Sequence, residues 1–412
     1  MRLAVVSPFL DRRHGTERVV IEQLERLSAL PGLEIHVYAQ RLEDLAQAAP
    51  FDSSGRSQTP GSIVWHKVSS LPGPHLFGYI WWFFANQFHR LRDARFRGLT
   101  YDLVYSPGIN AWDADAIAIH IVFHEFYRQL RPYLRLSAAP LSRWPRLLHR
   151  RLYYWLIMAL EGRIYRDPRT HLSAVSGVVA RQLAVHFQRT DVPVISHGVD
   201  AEHFSSRVRL ARRKTARSHF GITAGEFVLL LIGNDWMTKG LPTLLRAIAN
   251  CQNGSLKLIV VGTDQRSAFE ALIRQLSLTE RVFFHPPSND VLQFYAAADA
   301  YAGPSLEDAY GLPFLEAMAC GLPVIASVRA GVSEIMRDGV DGFLLRDPED
   351  HMELAGRIRQ LAGDPALRER MGTAAALTAQ QHTWDRNAAE TWQFLKDAAA
   401  RKQDARRRRE AR

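Results

Sequence analysis

Short apolar runs alternate with amphipathic helical patterns along almost the whole chain. In the first half the predicted strands are Leu3–Ser7, Glu34–Tyr38, Ile63–Val68, Asp102–Tyr105, Ala116–Val122, His171–Val175 and Pro193–Ile195. In the second half they are Phe227–Ile232, Lys257–Val261, Val282–His285, Ala300–Ala302 and Pro323–Ala326. The predicted helices are Arg18–Leu30, Arg143–Tyr165, Leu241–Ala249, Ala268–Leu276, Asp290–Ala298 and Pro313–Ala319. This alternation predicts an α/β protein whose parallel sheets carry helices on both faces.

A segment rich in Arg, Ser and His, at 201–220, separates the two alternating blocks. We therefore predict two Rossmann-like domains, each with its own core, as expected for a chain of 412 residues. The predicted divisions are 1–197 for the N-terminal domain, 198–214 for a linker, 215–380 for the C-terminal domain, 381–400 for a last helix that returns to the N-terminal domain, and 401–412 for a basic, disordered tail.

The composition is that of an ordinary globular protein, with 47% hydrophobic and 23% charged residues. The two cysteines lie far apart in apolar helical contexts, which favours a reducing compartment without a disulfide. The N-terminal apolar run is short and lacks a small-residue cleavage site, so it is predicted to be a strand rather than a secretory signal. The longest apolar run, Leu76–Phe88, is shorter than the roughly 20 residues that a membrane span requires.

The net charge of +10 is unevenly distributed. Between Arg128 and Arg169 there are ten arginines and only two acidic residues, Glu161 and Asp167. Basic and apolar side chains are interleaved here, and aromatic residues also lie just upstream. The interleaved residues are Arg131, Arg135, Arg143, Arg146, Arg150 and Arg151 with Tyr133, Leu134, Leu136, Trp144, Leu147 and Leu148, and the upstream residues are Trp81, Trp82, Phe83 and Phe84.

This mixture predicts binding to an anionic membrane surface, to which each Lys or Arg contributes about 1 kcal/mol. One alternative is that the aromatic residues form core and the arginines a solvated face. Nucleic acid is a second alternative, but no nucleic-acid-binding motif accompanies the charge, so we predict no nucleic-acid partner.

The most informative stretch is Gly303–Gly321, which reads GPSLEDAYGLPFLEAMACG. An acidic pair, Glu307 and Asp308, precedes a Gly-Leu-Pro turn that opens a helix. Pro313 suits the first helical position because its missing N–H would have no partner there. Amides at the positive end of this helix are expected to bind an anion, and they belong to Gly311, Leu312 and Phe314. Glu316 lies one turn further in, so the segment combines phosphate-binding amides with carboxylates that accept hydrogen bonds from sugar hydroxyls.

The stretch resembles the signature of the retaining glycosyltransferases of the GT4 group, in which seven residues separate two Glu around a Phe/Tyr-Gly-Leu-Pro core. Asp308 occupies the first acidic position, one methylene shorter than Glu, and Glu316 occupies the second. The resemblance covers almost the whole chain, and the lipopolysaccharide core glucosyltransferases are the most similar subgroup. It implies a GT-B fold, with two Rossmann-like domains facing each other across a cleft. The structural alternative is that an acidic loop before a helix occurs in many parallel-sheet domains.

Lys239 follows the strand Phe227–Ile232, at the end of the sheet where ligands of open parallel sheets bind. The family has its diphosphate-binding lysine here, and a fixed cation stabilises the charge that develops on the leaving group without a metal. Many relatives carry an arginine five residues earlier, where this chain has Asn234. Arg266, after the next strand, is the candidate replacement for that cation. The alternative is that Lys239 is an exposed lysine at a helix start.

In the first half, Gly15 follows the first strand, with Thr16 as the predicted N-cap of the next helix. The resemblance implies that this turn approaches the donor phosphates and the acceptor, although His14 stands where many relatives have glycine. It also implies an active-site histidine close to the reacting sugar carbon. His120 matches that position better, and His124 remains an alternative. A histidine in an apolar strand is also often an ordinary core residue.

Asp113 and Asp115 have the spacing of the metal-binding Asp-x-Asp of the other major glycosyltransferase architecture. The pair precedes a strand rather than following one, so we predict neither a metal nor another cofactor. On the resemblance, the catalytic residues are His120, Lys239 and Asp308. The donor-binding residues are Gly15, Asn234, Lys239, Arg266, Asp308, Gly311, Leu312, Pro313, Phe314 and Glu316.

The predicted function is transfer of a sugar from a nucleotide-diphosphate-sugar to a hydroxyl of a lipid-linked, lipopolysaccharide-core or other envelope glycan, with retention of configuration. The C-terminal domain would bind the donor and the N-terminal domain the acceptor. The enzyme would be cytoplasmic and peripherally bound to the membrane. Two rivals remain: a non-catalytic membrane-surface protein on a degenerate GT-B scaffold, and another enzyme of this architecture, such as a sugar-nucleotide epimerase or a glycogen-type phosphorylase.

Overall fold

The computed structural model describes residues 1–45, 48–50, 63–134 and 141–411, which form two compact units. Unit 1 comprises Met1–Ser196 and the chain from Asp385 onward, and unit 2 comprises His197–Trp384. The division after Ser196 lies one residue before the expected end of the N-terminal domain at residue 197. Within the basic segments, Arg135, Leu136 and Arg412 lie outside the described residues, as do the side chains of Tyr133 and Arg143.

The regular elements follow one another as the alternating pattern predicts. The strands are β1 (Arg2–Val6), β2 (Phe9–Leu10), β3 (Glu34–Ala39), β4 (Arg41–Leu42), β5 (Ala48–Pro50), β6 (Ile63–Lys67), β7 (Leu103–Pro107), β8 (Ala116–Ile119), β9 (His171–Ala174), β10 (Phe227–Ile232), β11 (Leu256–Val261), β12 (Val282–His285), β13 (Ala300–Gly303), β14 (Val324–Ser327) and β15 (Gly342–Leu345). The helices are α1 (Gly15–Ser28), α2 (His75–Arg97), α3 (Phe123–Leu130), α4 (Trp144–Ile164), α5 (Gly177–Phe187), α6 (Ser206–His219), α7 (Leu241–Asn250), α8 (Glu270–Gln275), α9 (Leu292–Ala297), α10 (Leu312–Ala319), α11 (His351–Gly363), α12 (Pro365–Ala379) and α13 (Trp384–Glu410). Short 3-10 turns lie at Arg131–Leu134, Leu141–Arg143, Arg266–Ala268 and Gly331–Ile335.

Unit 1 is built on a seven-stranded parallel sheet with the strand order β5-β6-β3-β1-β7-β8-β9. Its core includes Leu3 and Val5 of β1 and extends to Leu395 and Ala398 of α13. Polar contacts also join α13 to α1, because Gln23 Nε2 donates to Asn387 Oδ1 at 3.0 Å and to Thr391 Oγ1 at 3.1 Å. The last helix is therefore an integral part of the N-terminal unit.

Unit 2 is built on a six-stranded parallel sheet with the strand order β12-β11-β10-β13-β14-β15. The central strand β10, FVLLLI, is an unbroken apolar run because strands of a parallel sheet are buried on both faces. The side chains of Phe227, Leu229 and Leu231 on one face of β10 pack in one core with residues of α7 and α11, among them Leu241, Leu244, Leu354 and Ile358. Two parallel sheets with helices confirm the predicted α/β class.

Several predicted local features are wrong. The segment predicted as a linker, 198–214, contains the first part of α6, which packs on α9. The predicted strand Pro193–Ile195 contributes only a single bridge, between Val194 and Ala174. The residues predicted as a disordered tail are helical as far as Glu410, because Ala and Arg favour helices and Lys402 Nζ lies 2.8 Å from Asp115 Oδ2. Among the described residues, no helix is long and apolar enough to cross a membrane.

Candidate functional site

The loop after β10 carries Lys239 at the carboxyl end of the unit 2 sheet. Two glycines shape this loop, and both have positive φ angles, +147° at Gly233 and +78° at Gly240. A Cβ at Gly233 would lie 3.3 Å from Lys239 Cε, so the bare backbone there leaves room for the lysine stem. Gly240 is the N-cap of α7, and a Cβ there would overlap the carbonyl oxygen of Pro304. The loop conformation therefore depends on glycine at both positions.

Asp308 lies in the loop after the neighbouring strand β13. Its backbone is held on both sides, because Asp308 N donates to Arg329 O at 3.3 Å and Gly331 N donates to Asp308 O at 2.9 Å. The carboxylate faces the loop after β10, where Lys239 Nζ lies 2.5 Å from Asp308 Oδ2. The Lys239 and Asp308 side chains retain 23% and 11% of their exposure. The adjacency of β10 and β13 thus creates a partly buried ion pair at the strand ends.

Helix α10 begins directly after this loop. Gly311 is its N-cap, with a φ of +91° and no side-chain cap. The expectation that all three amides bind an anion is wrong for Phe314, because Phe314 N donates to Gly311 O at 3.0 Å. The Phe314 ring is core: it packs against Tyr301 with ring centroids 4.8 Å apart, and a Cβ at Gly303 would overlap it. Leu312 is also buried, so Leu312 and Phe314 face this edge through backbone rather than side chain.

Glu316 of α10 is only 3% exposed. Its Oε2 accepts a hydrogen bond of 2.7 Å from the hydroxyl of Tyr295, which lies on α9. The same hydroxyl lies 3.2 Å from Pro313 O. Burial and the neighbouring Glu316 carboxylate raise the pKa of Tyr295, so the phenol remains a donor at all ordinary pH values. Tyr295 was not a predicted site residue.

Asn234, which stands where relatives have the second cation, and Arg266, the candidate replacement for that cation, have different partners in the structure. Asn234 Oδ1 accepts from Thr263 N at 2.9 Å and from Thr263 Oγ1 at 2.8 Å, so it ties the loop after β10 to the loop after β11. The Arg266 guanidinium lies over the Phe284 ring, 5.6 Å from its centroid, and 3.5 Å from Glu270. The structure brings Lys239 to Asp308, and it directs Arg266 to other partners.

In unit 1 the loop before α1 is organised by a buried carboxylate. The helix begins at Gly15 with His14 as its N-cap, so the predicted capping role of Thr16 is wrong. Asp11 Oδ1 accepts from His14 Nδ1 at 2.7 Å and from the amides of Arg13 and His14 at 3.0 and 3.1 Å. Burial raises the pKa of Asp11, but these hydrogen bonds outweigh burial and hold the pKa below its usual value. Gly15 itself has open space where a Cβ would lie.

The two candidate histidines follow β8 and differ in their surroundings. His120 is 8% exposed, and burial lowers its pKa to about 4, so its ring is neutral near pH 7. His124 lies on α3 and is partly exposed. Its Nδ1 lies 2.6 Å from Oε2 of Glu161, a carboxylate on α4 with no exposed surface. Glu161 was noticed in the sequence only as one of two acidic residues in a basic stretch.

The Asp-x-Asp pair is occupied by other partners. Asp113 forms a two-pronged ion pair with Arg90, at 2.6 and 2.8 Å. Asp115 Oδ2 accepts from Val104 N at 2.8 Å and pairs with Lys402. The two carboxylates thus anchor α2 and α13, respectively, to the loops of unit 1.

Two units of parallel sheet, one carrying a lysine–carboxylate pair at its strand ends, define the class of GT-B folds. Whole-chain similarities agree with this class. The structure of WaaG, a glycosyltransferase involved in lipopolysaccharide biosynthesis, matches with a TM-score of 0.74 and 20% identity, covering 95% of this chain and 99% of that one. Sucrose-phosphate synthase from Thermosynechococcus elongatus matches with a TM-score of 0.73 and 19% identity, covering 97% and 99%. At these identities the likeness shows the fold.

Residues 212–378 match the family described as glycosyl transferases group 1. The D-inositol 3-phosphate glycosyltransferase of Arthrobacter sp. (strain FB24) is 33% identical over 236 residues, 55% of each chain. The protein of the same name from Nocardia farcinica (strain IFM 10152) is 33% identical over 219 residues, covering 50% of this chain and 48% of that one. The chain thus aligns with about half the length of these relatives.

Proposed function

We propose that this protein is a retaining glycosyltransferase that transfers a sugar from a nucleotide-diphosphate-sugar to a hydroxyl of a lipid-linked, lipopolysaccharide-core or other envelope glycan. The observation that supports this most is the Lys239–Asp308 pair at the carboxyl ends of β10 and β13, beside the start of α10. Ligands of open parallel sheets bind at this end of the strands. The family of residues 212–378 and the names of the relatives agree with the activity.

In this proposal the donor binds to unit 2. Lys239 and the amides of Gly311 and Leu312 bind the diphosphate, because a cation and a helix N-terminus both favour an anion. Asp308 accepts a hydrogen bond from a sugar hydroxyl, and Glu316 accepts one from the ribose. Fixed positive charge at this place stabilises the negative charge that grows on the leaving nucleotide.

The acceptor binds to unit 1, and the leaving phosphate takes the proton from the reacting hydroxyl of the acceptor. His120, neutral near pH 7, donates or accepts a hydrogen bond near the reacting carbon.

We propose that Lys239 supplies the positive charge that a divalent ion supplies in other transferases, so no metal takes part. Turnover that is unchanged after treatment with EDTA is the expected result, and restoration by added Mg²⁺ or Mn²⁺ would contradict it.

The donor proposal is tested by calorimetry with UDP, GDP and ADP and with UDP-glucose, GDP-mannose and ADP-glucose. We expect at least one of these compounds to bind, and sugar transfer to a cell-envelope glycolipid extract with the same nucleotide. No binding to any compound would contradict the proposal. Binding without transfer or donor hydrolysis would favour the non-catalytic alternative, and conversion of the donor to its epimer would favour the epimerase.

We propose an anionic membrane surface as the second partner, bound through an apolar stripe on α2 and α4. Large hydrophobic side chains at helical spacing are exposed on both helices. They are Phe77, Ile80, Trp81, Phe84, Phe88 and Leu91 on α2, and Trp144, Leu148, Leu152 and Trp155 on α4. Tyr79 and Tyr153 join the two helices with ring centroids 5.9 Å apart.

The predicted aromatic run therefore divides by helical face. Trp82 and Phe83 are buried, as the core alternative requires, while Trp81 and Phe84 are exposed. Exposed arginines accompany the stripe, namely Arg95, Arg97, Arg146, Arg150 and Arg151. Exposed apolar groups flanked by arginines suit a bilayer whose headgroups are anionic, where the enzyme would lie peripherally on the cytoplasmic face.

Flotation with phosphatidylglycerol and phosphatidylcholine vesicles tests this surface. We expect binding to the anionic vesicles that weakens with salt, since exposed charges are screened over about 10 Å at 0.1 M. The double substitution of Phe84→Ser and Phe88→Ser should weaken binding. Leu377→Ser, which removes an exposed leucine of unit 2, is the matched control and should not. Equal binding to both vesicles would contradict the electrostatic part.

A further inference from the structure

The Glu161 carboxylate makes three polar contacts with the first residues of α3. Its Oε1 accepts from Phe123 N at 2.7 Å, and its Oε2 accepts from His124 N at 3.0 Å and lies 2.6 Å from His124 Nδ1. The residue at the N-cap position, Val122, has no side chain that could make these bonds. The Glu161 carboxylate, which comes from α4, thus takes the place of an N-cap side chain for α3. It also holds the ring of His124, the second residue of that helix.

The contact determines which ring nitrogen of His124 faces Glu161. A carboxylate accepts hydrogen bonds, so the ring must carry its proton on Nδ1, and Nε2 is the nitrogen left to meet a ligand. The Phe187 ring meets the His124 ring edge-on at 5.1 Å, and the His186 ring lies 5.6 Å away, so α5 supports the ring from a second side. Glu161 has no exposed surface, whereas His124 retains 31% of its exposure. The buried carboxylate therefore orients a partly exposed imidazole ring.

The same arrangement recurs in the loop before α1. Asp11 accepts from His14 Nδ1 and from two successive amides, as Glu161 does. The segment that leaves β1 passes through the short strand β2 and reaches His14, and His124 follows β8; only β7 lies between β1 and β8. Neighbouring strands are about 4.8 Å apart, so the two loops leave the sheet roughly 10 Å from each other. The carboxyl end of the unit 1 sheet therefore carries two histidines, each held through Nδ1 by a buried carboxylate.

We propose that Glu161 is a positioning residue that orients His124 so that its Nε2 accepts a hydrogen bond from a hydroxyl group of the acceptor. His124 would then be an acceptor-binding residue in addition to His120, and the Asp11–His14 pair would border the same acceptor. This inference rests on the proposed glycosyl transfer. It assigns the hydroxyl-rich acceptor to the end of the sheet between β1 and β8.

Substitutions of His124 separate its two nitrogens. The amide of Asn reaches the place of Nδ1, whereas the amide of Gln reaches the place of Nε2. His124→Asn should keep the contact with Glu161 and lower transfer to an envelope glycolipid extract roughly tenfold, the equivalent of one lost hydrogen bond. His124→Gln should retain more activity than His124→Asn. The same two substitutions at His89 of α2 are the matched control and should leave transfer unchanged.

Glu161→Gln tests the positioning role. The Gln amide keeps one acceptor oxygen and replaces the other with an NH₂ group. With its oxygen on Phe123 N, the NH₂ group faces His124, so we expect His124 to move its proton to Nε2, which nitrogen-15 NMR of the histidine rings detects. Transfer should fall about tenfold, while hydrolysis of the donor by water, measured without extract, should stay within about twofold. A variant with normal melting but wild-type transfer would overturn the inference, as would equal loss of transfer and hydrolysis. If the wild-type protein neither transfers nor hydrolyses any donor of the panel, the proposed function itself fails.

Discussion

The ion pair between Lys239 and Asp308 leads to a prediction with opposite signs for its two members. The lysine proposed to bind the diphosphate is paired with an aspartate, and Lys239 Nζ lies 2.5 Å from Asp308 Oδ2. We therefore propose that a nucleotide competes with Asp308 for the positive charge of Lys239. Removal of the lysine should weaken nucleotide binding, whereas removal of the aspartate's charge should strengthen it.

The magnitudes follow from the burial of the pair. At an effective dielectric of 20, two charges 4 Å apart attract by about 4 kcal/mol, and desolvation of these mostly buried groups offsets much of that. A hydrogen bond to a charged group is worth about 1.5–3 kcal/mol net, so Lys239→Met should weaken binding of the nucleotide roughly 10- to 150-fold. Asp308→Asn should tighten binding of the bare nucleotide by about tenfold, if about 1.4 kcal/mol of competition is relieved.

Calorimetry with the nucleotide that binds in the donor screen measures both effects. Lys257→Met is the matched control, because Lys257 is also a partly buried lysine of unit 2 paired with a carboxylate, Glu226, at 3.4 Å. Wild-type affinity in Lys239→Met would refute the diphosphate contact. Weaker nucleotide binding in Asp308→Asn would show that the pair supports the loop rather than competing with the ligand. Asp308→Glu should keep or raise turnover, since it restores the family's residue.

Three further predictions concern stability. The buried, neutral His120 should lower the free energy of unfolding as the pH falls from about 6.5 to 4, because the unfolded state binds the proton first. Urea unfolding at several pH values measures this loss, and His120→Gln should remove roughly 3 kcal/mol of it. Arg217 is buried and donates to the carbonyls of Ala297, Thr223 and Glu226, so Arg217→Met should lower the free energy of unfolding by about 3–5 kcal/mol. Arg212→Met, on the exposed side of α6, should lower it by under about 1 kcal/mol, and equal losses would contradict this. Tyr295→Phe should lower the free energy of unfolding by about 1–3 kcal/mol and weaken binding of the nucleotide-sugar, because Glu316 loses the hydrogen bond from the Tyr295 hydroxyl. An unchanged melting temperature would contradict this prediction.

The parts of the fold that were predictable are those in which one short segment carries its own pattern. The run Phe227–Ile232 is recognisable because both faces of a central parallel strand are buried. Helix α6 was missed because its sequence, SRVRLARRKTARSH, shows few apolar positions. Its arginines bind the end of α9 instead: Arg213 donates to Ala298 O at 2.8 Å and Arg217 to Ala297 O at 3.2 Å. Such a helix is stabilised by tertiary contacts that the local pattern does not contain.

The candidate site divides in the same way. Lys239 and Asp308 were each predicted from a strand end, but their contact depends on β10 and β13 being neighbours, which the strand order alone determines. The partners Glu161 and Tyr295 were missed because each lies on a helix some tens of residues from the group that it binds. The one signal for Glu161 was an acid in a strongly basic stretch, and buried acids need donors that only the fold supplies.

Asn234 and Asp308, which both depart from the family pattern, are explained together by the charges at the candidate donor site. Asn234 contributes no charge and holds Thr263, so among the predicted donor-site residues Lys239 alone brings a cation to Asp308. When Lys239 turns to a diphosphate, Asp308 loses its cation while still mostly buried, and its lone pairs need other donors. In the proposed complex the hydroxyls of the transferred sugar supply these donors, and the nucleotide product lacks that sugar. We therefore expect the shared lysine to favour the nucleotide-sugar over the nucleotide product, and this preference should disappear in Asp308→Asn.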